Sequence, residues 1–369
     1  MRILIITLPL YINYGGILQC YALQTVLKRM GYCVKVLSKP QYGISYYWIY
    51  PLAVCKRLIK RYIFRKDVDI LKAPHEVIRK NADRFIKQYI DKYNCKNWTA
   101  EITHKFDAVV VGSDQIWRPK YSQPIEFSFL SFLGDSKIKR ISYAASFGVD
   151  RCEYTEEQLK VCSFFLSKFD AVSVRETSGV DLCSIYFGVD AVQMIDPTLL
   201  LSADDYRELI NNAETKSPKG NMLVYILDKT EEKIALVNKI AAEKGLRPFW
   251  LDSPDEQNEK LPLRERVKMS VEQWLRSFDE AEFVLTDSFH GSVFSIIFKK
   301  QFLAIGNEER GISRFLSIFK QLSLEERLIL SSKEYEENLT KIDYDKLYDK
   351  LHFLQEQSIL FLKTNLNEK

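Results

Sequence analysis

Short apolar runs that end in small or polar residues, each followed by a stretch with helical character, recur along this chain and confine it to an α/β fold. In the first half these are Arg2 to Leu8, Cys33 to Leu37, Asp107-Ala-Val-Val-Val-Gly-Ser-Asp114, Arg140 to Gly148, Ala171-Val-Ser-Val-Arg-Glu176 and Ala191 to Asp196. In the second half they are Asn221 to Leu227, Pro248 to Leu251, Phe283-Val-Leu285 and Phe302 to Ile305. Continuous rather than alternating apolar runs suit strands buried on both faces, as in a parallel sheet. Asn13-Tyr-Gly-Gly16 opens a helix whose apolar face is Ile17, Leu18, Tyr21, Val26, Leu27 and Met30, so the chain starts in doubly wound fashion. At 369 residues the chain exceeds one ordinary core. Two parallel-sheet halves facing across a cleft are therefore expected. The boundary falls near Pro197 to Ser202, dividing the chain into residues 1–198 and 199–369, and a long amphipathic helix from Tyr344 to Leu362 ends it. Residues 252–266 read as a loop.

Composition narrows the class of function. A net charge of +4 does not mark a nucleic-acid binder, though it suits an acidic small molecule or an anionic surface. The seven cysteines are scattered without a CxxC pair, which points to reduced thiols and away from a zinc site. Met1 to Ile12 reads as a first strand rather than a signal peptide, and no apolar run approaches the roughly 20 residues of a membrane span. A cytoplasmic protein is expected. Residues 44–66 set aromatics beside spaced cations, which reads either as a solvated basic helix face or as a segment resting on the inner face of the membrane.

Candidate functional residues gather where strands give way to helices, the place where open α/β sheets bind ligands. In Thr286-Asp-Ser-Phe-His-Gly291 the histidine falls in a first helical turn, where free N–H groups and the helix dipole attract anions and favour a neutral imidazole. Such a ring can take up a proton and return it. A histidine that merely caps a helix is the plainer reading, but the company of Asp287, Ser288 and Gly291 favours function. Asp287 reads either as the group that orients the imidazole or as a helix N-cap. Arg175 reads as an ion-pair partner of Glu176 or as a fork for carboxylate or phosphate. Asn13, Gly15 and Gly16 allow backbone N–H groups to approach a ligand, or form a tight turn. Asp114 and Gln115 mark a further site edge.

Six stretches, taken together, resemble the polysaccharide pyruvyl transferase family. They are Asn13-Tyr-Gly-Gly-Ile-Leu-Gln-Cys-Tyr-Ala-Leu-Gln24, Val111-Gly-Ser-Asp-Gln-Ile-Trp117, Ser142-Tyr-Ala-Ala-Ser-Phe-Gly148, Val172-Ser-Val-Arg-Glu176, Ile195-Asp-Pro197 and Thr286-Asp-Ser-Phe-His-Gly291. The resemblance implies two Rossmann-like halves of the GT-B type, the first on the acceptor side and the second on the donor side. It also implies transfer of pyruvate from phosphoenolpyruvate to two hydroxyls of a sugar or lipid-linked oligosaccharide, forming a cyclic ketal in bacterial surface polysaccharide (exopolysaccharide or capsule) biosynthesis. His290 would cycle the proton, with Asp287 beside it. Arg175 and Arg314 would clamp the donor, with Ser288 and Gly291 adjoining. Asn13, Gly15, Gly16, Asp114 and Gln115 would form the opposite wall, and no cofactor or metal is expected. One departure stands out: many members carry Arg-Leu-His-Gly where this chain has Ser288-Phe-His-Gly291, so either Ser288 contributes only a hydroxyl and another cation, Arg314 or Lys299, replaces the arginine, or donor affinity is lower. Two other readings compete: a glycosyltransferase of the same architecture using a nucleotide-sugar, and a non-catalytic protein binding a glycan or lipid surface.

Overall fold

The computed structural model describes residues 1–38, 55–56, 58–59, 63, 74–95, 98–122, 124–251, 261–306, 311–337 and 339–367. Strands β1 (Arg2–Thr7), β2 (Cys33–Ser38), β3 (Ala108–Val111), β4 (Lys139–Ala145), β5 (Ala171–Val174) and β6 (Val192–Gln193) form a parallel sheet in the order β2-β1-β3-β4-β5-β6. A second parallel sheet takes β7 (Met222–Tyr225), β8 (Pro248–Trp250), β9 (Phe283–Thr286), β10 (Gln301–Ile305) and β11 (Leu328–Ile329) in the order β11-β10-β9-β7-β8. The apolar runs have the expected cause: Ile3, Leu4, Ile5 and Ile6, like Ala108 to Val111, are buried on both faces of the first sheet.

Four helices bear on the site: α1 (Tyr14–Arg29), α2 (Phe289–Ile297), α3 (Ser313–Leu322) and α4 (Tyr344–Leu366). The last is longer than its periodicity indicated, and its 23 residues span roughly 35 Å. It starts against the second sheet's layer, where the Tyr348 hydroxyl donates to Ile297 O at 2.9 Å. It finishes on the first, where Phe361 meets Tyr143 and Leu362 and Leu366 are wholly buried. One apolar cluster accordingly runs from Ile3 and Val110 of the first sheet through α4 to Val284 and Phe302 of the second. Dividing the halves at 198/199 is our proposal, with α4 bridging them.

Smaller elements depart from expectation. Ala191 to Asp196 pairs only at Val192–Gln193, because Asp196 turns to cap a 3-10 turn over Pro197–Leu200 by accepting from Thr198 N–H. Within the expected loop 252–266, Leu263–Arg266 form a 3-10 turn after Pro262. The basic aromatic segment 44–66 lies almost wholly outside the described residues. Among the described residues, no helix is long and apolar enough to cross a membrane.

Candidate active site

Each sheet reverses its winding once. In the first, β1 leads outward to β2 and inward to β3; in the second, β7 leads to β8 on one side and abuts β9 on the other. Crevices open beyond the strand ends at such points. Here the two crevices face each other and merge into one cavity of about 480 Å³. Leu8, Pro9 and Ile12 to Gly15 reach it from the end of β1, and Asp114 and Gln115 from the end of β3. Tyr225 and Leu227 come from β7, Asp287 to His290 from β9, and Arg314 from α3. Tyr121 completes the rim.

The first turns of α1 and α2 meet across this cavity. A Cβ on Gly15 would lie 2.0 Å from His290 Nδ1, 2.3 Å from Cγ and 2.5 Å from Cε1. Near-equal distances to three ring atoms mean that Gly15 lies over the face of the imidazole, leaving the in-plane lone pair of Nδ1 unobstructed. Beside this contact, the Tyr14 ring stacks on Trp274 at 5.5 Å and its hydroxyl donates to Met269 O at 3.0 Å. A second junction lies at Gly311 (φ +90°), where a Cβ would fall 1.8 Å from Gly148 O. The halves are thus keyed together at two places.

Behind the ring lies a buried ionic network. Asp196 Oδ2 is 3.5 Å from His290 Nε2 and accepts from Arg175 Nη1 at 2.5 Å. Its Oδ1 accepts from the Thr198 hydroxyl at 2.7 Å and from Thr198 N–H at 2.9 Å. Burial by itself would raise the Asp196 pKa, but His290, Arg175 and Thr198 outweigh it and hold the carboxyl well below the usual range. Arg175 also pairs with Glu176 at 3.4 Å, and the Ser146 hydroxyl donates to the same carboxylate. Burial works against the charge on Arg175, yet Asp196, Glu176 and Asp114 keep it above its ordinary value. The guanidinium of Arg175 lies 4.8 Å from the Phe289 ring centre and that of Arg314 5.4 Å from it. Burial and the neighbouring Arg175 charge push Arg314 down to about 10, so it stays cationic at neutral pH.

Of the residues singled out in the sequence, Asn13, Gly15, Asp114, Gln115, Asp287, Ser288, His290 and Arg314 line the cavity. Asp114 sits at φ +32°, a costly backbone for a non-glycine residue that tends to occur at functional sites. Arg175 lies behind Phe289 rather than on the wall. Gly16 and Gly291 serve packing: a Cβ on Gly16 would be 3.1 Å from Asp114 Oδ2, and one on Gly291 2.2 Å from Thr286 Oγ1. Asp287 neither caps the helix nor faces the imidazole. Its carboxylate accepts from Leu227 N–H (2.7 Å), Asp228 N–H (3.1 Å) and Lys233 Nζ (2.7 Å), pinning the turn after β7. The cap is Ser288, which accepts from Gly291 N–H at 3.3 Å. Of the two cations considered for the place left by Ser288, Lys299 lies over Tyr348 at 4.3 Å, whereas Arg314 reaches the cavity. Asp196 carried a signal only as part of Ile195-Asp-Pro197, and no role was legible there.

A model of the family described as polysaccharide pyruvyl transferase matches residues 13–309, a span that includes Asn13, Asp114, Gln115, Asp196 and His290. The chain belongs to the polysaccharide pyruvyl transferase family. No curated protein matches it. Among solved structures, S. aureus MnaA in co-structure with UDP is similar at 12% identity and TM-score 0.50, over 99% of this chain and 97% of that one. UDP-GlcNAc 2-epimerase from Neisseria meningitidis bound to UDP-GlcNAc is similar at 10% identity and TM-score 0.48, over 100% and 95%. At such identities the first likeness shows the fold alone: two parallel sheets in the GT-B manner. Family membership makes the protein a transferase and implies a sugar or polysaccharide acceptor.

Proposed function

We propose that the protein transfers pyruvate from phosphoenolpyruvate to two hydroxyls of a sugar, forming a cyclic ketal during surface polysaccharide biosynthesis. The observation that carries the donor assignment is the charge pattern of the helices. Among the described residues, the three helices that open onto the cavity, α1, α2 and α3, lack an acidic residue in the first turn. Every other described helix of eight or more residues has one. An acid there normally stabilises a helix by roughly 0.3–1 kcal/mol. Three such helix ends converging beside Arg314 suit a small polyanion. Phosphoenolpyruvate, with roughly three negative charges, meets that demand.

Ketal formation then needs proton traffic. A proton adds to the methylene carbon of the donor, and a sugar hydroxyl attacks the resulting cationic carbon and gives up its proton. Phosphate leaves with the C–O electron pair, and the second hydroxyl attacks the same carbon and loses its proton. One proton is taken up on carbon and two are released from hydroxyls, one of which departs on phosphate. His290, beside the anion site and facing the acceptor wall of Asn13, Asp114 and Gln115, is the group we assign to this cycle. Arg314 holds the donor's carboxylate or phosphate, and Arg175 adds positive potential from behind Phe289. Incubation with phosphoenolpyruvate and a panel of galactosides, read by mass spectrometry, tests the reading. The expected product is an acceptor that has gained pyruvate less one water, with phosphate released. Transfer from a nucleotide-sugar without such a product would overturn it in favour of glycosyl transfer.

A further inference from the structure

We propose that Asp196 is the positioning residue of His290, fixing hydrogen on Nε2 so that Nδ1 faces the cavity as the proton acceptor. This rests on the reading of His290 as the proton carrier and adds a partner from the other half of the molecule. Asp196 is completely buried and every contact made by its carboxylate comes from a donor: Thr198 N–H and hydroxyl on Oδ1, Arg175 on Oδ2. An ionised carboxylate only accepts. The ring nitrogen turned towards it, Nε2 at 3.5 Å, must therefore carry the hydrogen. In a neutral imidazole the other nitrogen is then the acceptor. Nε2 itself is buried and makes no hydrogen bond in the structure, and the acceptor it faces is Asp196 Oδ2.

The other acids near the ring are committed elsewhere. Asp287 holds the turn after β7 and Lys233, Glu176 is bound to Arg175 and Ser146, and Asp114 lies across the cavity against Gly16. With Gly15 covering one ring face and Asp196 facing Nε2, the Nδ1 lone pair is left in plane. When Nδ1 takes a proton, the positive ring and the carboxylate draw together, since catalytic hydrogen bonds are often long before substrate is bound. Thr198 anchors the carboxylate through its N–H and hydroxyl, so the dyad is held by the 3-10 turn at the end of the first half.

Proton NMR of protein labelled with ¹⁵N in the histidine rings tests the dyad. The chain has only four histidines, so His290→Gln assigns the signal. The expected result is a proton coupled to Nε2 of His290 while Nδ1 is unprotonated, exchanging slowly because Nε2 is buried, and lost in Asp196→Asn. In the same variant kcat should fall by about 10²-fold or more, while KM for phosphoenolpyruvate stays within about threefold. Should Asp196→Asn not fold, Thr198→Val loosens Oδ1 alone and should lower kcat several-fold with a shift of the same resonance. Absence of the resonance in the wild type, or an unchanged kcat in a folded Asp196→Asn, overturns the proposal and leaves Asp196 only a counter-ion for Arg175. Failure of the wild type to consume phosphoenolpyruvate with the resonance present would instead overturn the donor assignment.

Discussion

Gly15→Ala tests the geometry most sharply. The added carbon would sit 2.0 Å from His290 Nδ1, whereas ordinary contact begins at 3.4 Å, so ring and helix must part by about 1.4 Å. A misplacement of about 1 Å at a reacting group costs on the order of 10²-fold in rate, so kcat should fall at least that far. The fold should tolerate the change, because alanine is favoured over glycine in a helix by about 1 kcal/mol and the ring can swing into the cavity. Gly16→Ala is the internal control. Its new carbon meets Asp114 Oδ2 at 3.1 Å and Asn13 Nδ2 at 3.3 Å, contacts that a shift of a few tenths of an ångström relieves. The assay is phosphate release from phosphoenolpyruvate with acceptor present, alongside thermal melting of each variant. A folded Gly15→Ala with wild-type kcat, or equal losses in the two variants, would show that the seat of the imidazole does not govern turnover.

Three further outcomes are expected. Arg314→Met should raise KM for phosphoenolpyruvate at least about tenfold, because it removes a cation from the cavity wall; a folded variant with unchanged KM contradicts this. Asp287→Ala should destabilise by about 3–5 kcal/mol, since it strands Lys233 and two N–H groups, with turnover falling in step with the folded fraction seen in urea titrations. The depressed pKa of Asp196 means that its carboxylate contributes stability in full above its unfolded value of about 3.9 and loses it as pH falls through the folded value. The stability gap between wild type and Asp196→Asn should therefore narrow steadily below about pH 4, and a gap that widens on acidification would refute that sign.

What the sequence made legible were the features that act locally. Buried parallel strands show as unbroken apolar runs such as Ala108 to Val111, and the site shows as polar residues at their ends, because chain neighbours there are also neighbours in space. Partnerships made across the fold left no such trace. Proximity along the chain pointed to Asp287 as the companion of His290, yet the strand end turns that carboxylate towards Leu227 and Lys233 and brings Asp196 in from the other half. Gly15 could be read as a place of close approach, but not that the group approaching is the imidazole of His290 rather than a ligand. β11 escaped notice because two paired residues, Leu328 and Ile329, make no periodic signal. The absence of first-turn acids in α1, α2 and α3 was present in the sequence from the start, and gained meaning only once those three helix ends were seen to share a cavity.

The most direct measurement is the rate of phosphate release by His290→Asn, set against wild type at saturating phosphoenolpyruvate and acceptor, with melting temperature as the check on folding. If the ring carries the proton onto the donor carbon, the rate should fall about 10²–10⁴-fold with the melting temperature nearly unchanged. A folded variant that still releases phosphate and forms ketal at the wild-type rate would contradict the account.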